Sequence, residues 1–101
     1  MQFKNRLAVV TGAGSGLGRG ISEILLERGA RVALIDLDSS SLTSTSEVLE
    51  PYSENIRAYQ SDVTDIDQFE LTINKIESEF GPVEILVNGA GVIAAKGFED
   101  T

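Results

Sequence analysis

Apolar positions fall into four short runs along the chain, separated by stretches of different periodicity. Leu7-Ala8-Val9-Val10, Val32-Ala33-Leu34-Ile35 and Ile85-Leu86-Val87 are continuous, the pattern of strands covered on both faces. Ile56-Arg57-Ala58-Tyr59-Gln60 alternates and predicts another strand, the third in chain order. Between these runs the spacing becomes helical. Leu17, Ile21, Ile24 and Leu25 predict a helix with one buried face, ended by Gly29, where a positive φ is wanted. Asp38 or Ser39 predicts the cap of a second helix running to about Glu50 and closed by Pro51. Ser39 to Ser46 are mostly hydroxyl residues with mediocre helix propensity, so this element reads as a solvated surface helix that frays. Thr64 with Asp67 predicts a capping box for a third helix. That helix carries Ile66, Phe69, Ile73, Ile76 and Phe80 on one face and stops at Gly81-Pro82.

Strand–helix alternation with continuous apolar strands implies an α/β fold with a parallel sheet between two helical layers. Right-handed crossovers then give half of a doubly wound, Rossmann-type sheet with strand order 3-2-1-4. The crevice of such a sheet lies at the C-terminal ends of strands 1 and 4. Both Gly12 to Gly18 and Asn88 to Gly91 fall there.

Bulk numbers narrow the chemistry. The 101 residues fit one small domain, and we expect no linker or repeat. The net charge is −8 with no histidine and no cysteine. Such acidity argues against nucleic acid and anionic membranes as partners. No apolar run approaches membrane-spanning length. Without His or Cys, disulfides, zinc thiolate sites and histidine-based triads are excluded. The absence of cysteine suits a cytoplasmic protein.

Between the first strand and first helix lies Thr11-Gly12-Ala13-Gly14-Ser15-Gly16-Leu17-Gly18. A helix start exposes unpaired N–H groups at the positive end of its dipole. Glycines let a diphosphate approach that backbone and permit positive φ. The usual G-x-G-x-x-G would need glycine at 17 or 19, which are Leu17 and Arg19. A Walker loop is excluded because no Gly-Lys-Ser/Thr follows. A tight turn with close helix–strand packing would use the same glycines.

Asp36 ends the second strand, where an acid can accept hydrogen bonds from an adenosine ribose. It would repel a 2′-phosphate by about 4 kcal/mol at ~4 Å and an effective dielectric of ~20, which favours NAD over NADP. Capping of the next helix is the competing role, for which Asp38 and Ser39 are also placed.

The order and spacing of the glycine loop, Asp36, Asp62-Val63 and Leu86-Val87-Asn88-Gly89-Ala90-Gly91 resemble the short-chain dehydrogenases/reductases over essentially the whole chain. The resemblance implies that Gly12, Ser15, Gly16, Leu17 and Gly18 surround a pyrophosphate. It implies that Asp36 and Leu37 hold the adenosine ribose region and that Asp62 and Val63 contact adenine. Asn88, Ala90 and Gly91 would line the nicotinamide-side ribose and tie strand 4 to the sheet. The family commonly has a second asparagine where this chain has Gly89, which predicts the loss of one side-chain hydrogen bond.

The same resemblance implies catalysis by a Ser, a Tyr and a Lys four residues after the Tyr. Here the residues four after Tyr52 and Tyr59 are Ile56 and Val63, so no catalytic residue is assigned. The expectation is therefore that residues 1–101 are the N-terminal half of a dinucleotide-binding domain in a longer enzyme. That enzyme would move hydride between an alcohol or ketone and NAD. The alternatives are a non-catalytic NAD-binding or interaction module and an S-adenosylmethionine-dependent methyltransferase. The latter lacks the acid expected before the glycines, where Thr11 stands. An open outer edge on strand 4 predicts self-association or a homo-oligomer.

Overall fold

The computed structural model describes residues 3–89. The element order is β1 (Leu7–Thr11), α1 (Gly16–Glu27), β2 (Arg31–Asp36), α2 (Ser39–Val48), a 3-10 turn (Glu50–Asn55), β3 (Ile56–Gln60), α3 (Ile66–Glu79) and β4 (Ile85–Asn88). The four strands form one parallel sheet in the order β3-β2-β1-β4. Thr11 is in register with Ile35 on one side and Asn88 on the other, and Asp36 with Gln60. The C-terminal ends of all four strands therefore lie along one edge of the sheet.

Side-chain alternation divides the core into two layers. Ala8, Val10, Val32 and Leu34 face α1 and α2, meeting Leu25, Leu26 and Leu42. Leu7, Val9, Ala33 and Ile35 face α3, meeting Ile76 with Phe69, Ile73 and Phe80 around it. All of β1 is buried, since it has a strand on each side and helices on both faces. As an edge strand, β3 buries only Tyr59.

Three local expectations change. The buried face of α1 is Gly18, Ser22, Leu25 and Leu26, while Leu17 and Ile24 are exposed. A Cβ on Gly18 would lie 2.2 Å from the Gly12 carbonyl oxygen. That close approach turns the Gly18–Ser22 side inward and rotates Leu17 outward. In α3 the cap is Asp65, which accepts from the Gln68 N–H at 3.1 Å. Thr64 is drawn instead to Asp62, whose Oδ1 accepts from both its N–H and its hydroxyl. With the helix starting one residue later, Ile66 is left exposed. Pro51 does not close α2, which ends at Val48; it stands in the first turn of the following 3-10 segment, where a missing N–H costs nothing.

The second helix is held by specific bonds rather than by propensity. Asp38 caps it, accepting from the N–H groups of Ser40 and Ser41 and from both their hydroxyls. Those bonds, the Ser40 and Ser41 hydroxyls foremost, hold the Asp38 carboxyl below the usual aspartate range. Farther along the chain, Gly81 adopts φ 129° after α3. Arg31 donates to the Phe80 carbonyl there, and the Phe80 ring receives Arg31 and Arg57 at 5.0 and 5.2 Å.

Candidate dinucleotide site

The glycine loop is built by three short-range constraints. Gly12 takes φ 64° and turns the chain out of β1. Ser15 caps α1, donating its hydroxyl to the Gly12 carbonyl at 2.7 Å and accepting from the Gly18 N–H at 3.2 Å. Gly18 is required by the fold itself, because any side chain there would strike the backbone of Gly12 and Ala13. Gly16 differs: a Cβ added to it meets no protein atom within 4 Å. The Gly16 and Leu17 amides sit in the first turn of α1, among the donors a helix leaves unpaired. Both residues are exposed, so a diphosphate has open access to them.

Asp36 joins this loop to the end of β2. Its Oδ2 accepts from the Gly14 N–H at 2.8 Å, and its Oδ1 from the Asp38 N–H at 3.0 Å. It therefore does not cap α2, a task that Asp38 performs. Leu37, next to it, is 63% exposed, and its carbonyl accepts from Gln60 Nε2 at 3.0 Å. The end of β2 thus carries a half-buried, anchored carboxylate followed by an exposed apolar side chain.

Asp62 follows β3 after the buried Ser61, whose N–H donates to the Asp36 carbonyl. The Thr64 hydroxyl and then its N–H hold the Asp62 carboxyl below the ordinary aspartate range. Val63 is half-buried against the α3-side core. At β4, Asn88 Oδ1 accepts from the Thr11 hydroxyl at 3.2 Å, which joins the ends of the two central strands. Gly89 makes a closer junction than expected: its N–H donates to the Thr11 carbonyl at 2.9 Å. A Cβ there would lie 2.7 Å from that same oxygen and 3.1 Å from Gly18 Cα. In this chain Gly89 thus packs directly against the backbone of Thr11 and Gly18, with no side chain between them. Ala90 and Gly91 lie outside the described residues.

Four residues of this region carry no signal in the sequence pattern. Thr45, fully buried in α2, donates to the Ala13 carbonyl at 3.0 Å and accepts from Arg19 Nε at 3.1 Å. Arg19 also donates to Ser44 at 3.3 Å. Ser41, one turn before Thr45, lies against Gly14. Only the i, i+4 spacing of Ser41 and Thr45 could have marked them, and the surrounding hydroxyl residues hide it.

Neither tyrosine is placed as an acid or base of the crevice. The Tyr59 hydroxyl donates to Glu79 at 3.1 Å, and burial, with Glu79 beside it, raises its pKa. Tyr52 packs at the margin of the α1/α2 core layer. Among the described residues no cluster of three acidic, His or Cys side chains could hold a metal ion. No helix among them is long and apolar enough to cross a membrane.

The sequence profile of the family described as short chain dehydrogenase matches residues 6–101. The chain is 39% identical over 92 residues to the 3-oxoacyl-acyl-carrier-protein reductase of Vibrio harveyi, covering 91% of this chain and 36% of that protein. It is 38% identical over 103 residues to the 15-hydroxyprostaglandin dehydrogenase of Bos taurus, whose name specifies NAD(+), covering 100% of this chain and 39% of the relative. Among solved structures, a short chain dehydrogenase/reductase from Burkholderia phymatum in complex with NAD superposes with a TM-score of 0.78 at 30% identity. That match covers 85% of this chain and 31% of the other. The 2-keto-3-deoxy-D-gluconate dehydrogenase of Streptococcus agalactiae superposes with a TM-score of 0.82 at 28% identity, covering 92% and 35%. The chain thus spans between a third and two-fifths of the length of the curated relatives it matches. Strand order, glycine loop and family match agree, and the chain belongs to the short chain dehydrogenase family.

Proposed function

We propose that residues 1–101 form the N-terminal half of the NAD-binding domain of an oxidoreductase. Bound NAD would supply the hydride acceptor or donor for a small alcohol or ketone. Gly12, Ser15, Gly16, Leu17 and Gly18 would hold the pyrophosphate, Asp36 and Leu37 the adenosine ribose, and Asp62 and Val63 the adenine. Asn88, Ala90 and Gly91 would border the nicotinamide ribose. The reading rests most on Asp36: an anionic carboxylate ends β2 and is tied to the glycine loop by the Gly14 N–H. A free 2′-hydroxyl can donate to that group, whereas a 2′-phosphate would meet like charge. The open space at Gly16 supports the pyrophosphate assignment. Ser15 has already donated its hydroxyl hydrogen to Gly12, so toward a ligand it offers only an acceptor.

Proton transfer needs a group within reach of the reacting oxygen. Tyr59 is committed to Glu79, and no tyrosine here is followed by lysine four residues later. This segment is therefore proposed to bind cofactor without turning over substrate by itself. The absence of cysteine suits a reducing, cytoplasmic setting. At the other end of the sheet from β3, β4 pairs with β1 alone among the described strands. A further strand, from a longer chain or a second copy, would continue the sheet there.

Calorimetric titration with NADH and NADPH tests the reading. Tighter binding of NADH is expected, and equal or tighter binding of NADPH would overturn the role given to Asp36. Light scattering of the isolated segment is expected to show association; a cooperative, monodisperse monomer would contradict the edge proposal. The methyltransferase alternative has no support from the family match, and binding of S-adenosylmethionine in place of NADH would be needed to revive it.

A further inference from the structure

We propose that Asn88-Gly89 is a site of spontaneous covalent modification, at which the Gly89 nitrogen attacks the Asn88 side-chain amide when β4 parts from β1. Of the four asparagines in the chain, only Asn88 precedes a glycine. The step is a cyclisation. The Gly89 main-chain nitrogen gives up its proton and forms a bond to Asn88 Cγ. The Cγ–Nδ2 bond breaks, and ammonia leaves with that proton. Water then opens the five-membered imide at one of its two carbonyls, which leaves aspartate or isoaspartate at position 88. No oxidant, cofactor or enzyme takes part. Glycine favours the step because it has no Cβ to shield its nitrogen and reaches backbone conformations closed to other residues.

The fold ties both reacting groups to Thr11 and so restrains the ring closure. Asn88 is the last residue of β4 and is in register with Thr11. The Gly89 N–H donates to the Thr11 carbonyl at 2.9 Å, which holds the proton that the attack must remove. The Thr11 hydroxyl donates to Asn88 Oδ1 at 3.2 Å, which holds the side-chain amide. The extended backbone of a strand must also rotate before the ring can close. These restraints last only as long as the β1–β4 pairing. β1 is buried at every position, whereas β4 is four residues long, half-buried throughout, and pairs with β1 alone among the described strands. A strand so placed opens locally at a lower cost than global unfolding, and each opening releases both groups together. Either product alters the junction. Aspartate sets a negative charge beside the Thr11 hydroxyl. Isoaspartate adds a CH₂ to the main chain and shifts the Gly89 N–H from the Thr11 carbonyl.

The test follows exchange of the Asn88 amide NH₂ for OH by peptide mapping and mass spectrometry. The full chain is incubated without cofactor, folded and in urea. Asn55 and Asn74, which precede Ile56 and Lys75, are internal references. In urea Asn88 is expected to convert faster than both, and Gly89→Ala is expected to slow it there. Folding should slow conversion at Asn88 at least about tenfold. Leu86 lies in β4 and packs against the α3-side core, so Leu86→Ala should loosen the strand and speed conversion in the folded chain about tenfold. Leu42→Ala weakens the packing of α2, on the other face of the sheet, and should leave the rate at Asn88 unchanged. Thermal melts establish which variants are folded, and valine at either position replaces an alanine variant that is not. Equal rates folded and in urea overturn the proposal. So does equal acceleration by the Leu86 and Leu42 variants, or a folded Leu86 variant that converts no faster than its parent. A Gly89→Ala chain that converts as fast as its parent in urea overturns the chemistry itself.

Discussion

Replacing Gly16 with alanine should move stability and cofactor binding in opposite directions. Gly16 opens α1 and is not among the glycines with positive φ. An added methyl meets no protein atom within 4 Å. The folded state therefore accepts alanine, while the unfolded chain loses conformational freedom. Substitutions of that kind stabilise by about 0.4–1 kcal/mol. Near the melting temperature of a domain this size, that is a rise of several degrees, up to about 8 °C. The same methyl would occupy the approach to the first-turn amides. Displacing a diphosphate from one charge-assisted backbone bond costs about 1.5–3 kcal/mol, or roughly 10- to 100-fold in NADH affinity. Circular dichroism melts without cofactor give the first quantity and calorimetric NADH titration the second. Unchanged NADH affinity in a stabilised Gly16→Ala protein would refute the placement of the pyrophosphate. A lowered melting temperature would refute the open geometry at Gly16. Gly18→Ala is the contrasting control, since its Cβ would meet Gly12 oxygen at 2.2 Å and Gly12 carbon at 2.8 Å. Overpacking against backbone should destabilise by about 1–3 kcal/mol or more.

Thr45→Val keeps the shape but removes the hydroxyl that joins Ala13 to Arg19. Urea unfolding should show a loss of about 1–3 kcal/mol, with Thr45→Ser closer to the parent; equal stability of the valine variant would contradict the clamp. The raised Tyr59 pKa, from burial and then Glu79, means the fold retains that proton longer than the unfolded chain does. Its stabilisation is present below about pH 10 and is lost as pH climbs through the folded value. Tyr59→Phe should flatten the alkaline limb of a stability–pH curve. For Asp38 and Asp62 the sign reverses: their lowered pKa values contribute stability above about pH 4 that disappears on further acidification. Acid melts of Asp38→Asn and Asp62→Asn should fall less steeply there than those of the parent.

The four strands and their order were legible because their cause is local and periodic. Continuous apolar runs demand cover on both faces, and right-handed crossovers leave few ways to arrange them. The bounds of β3 were readable from the alternation of five residues, Ile56 to Gln60. Loop chemistry was equally readable at Gly12 and Gly29, both of which take positive φ. The rotation of α1 was not, because periodicity allows either neighbouring face and contact between Gly18 and Gly12 selects one. The cap of α3 shifted because Asp62, two residues before Thr64, offered it a carboxylate.

The candidate site divides in the same way. Glycine spacing and an acid at the end of β2 are properties of the chain in one dimension, so sequence alone pointed to the family and to the strand ends at which the glycine loop and that acid stand. Distances between residues 14, 36, 41 and 45 exist only once β2 and α2 have folded back over the loop. Tertiary structure therefore decided that Gly16 is open space, that Gly18 is a packing requirement and that Gly14 is pressed against Asp36 and Ser41. Three glycines two residues apart look alike in sequence, but a missing Cβ has meaning only relative to the atoms it would have met.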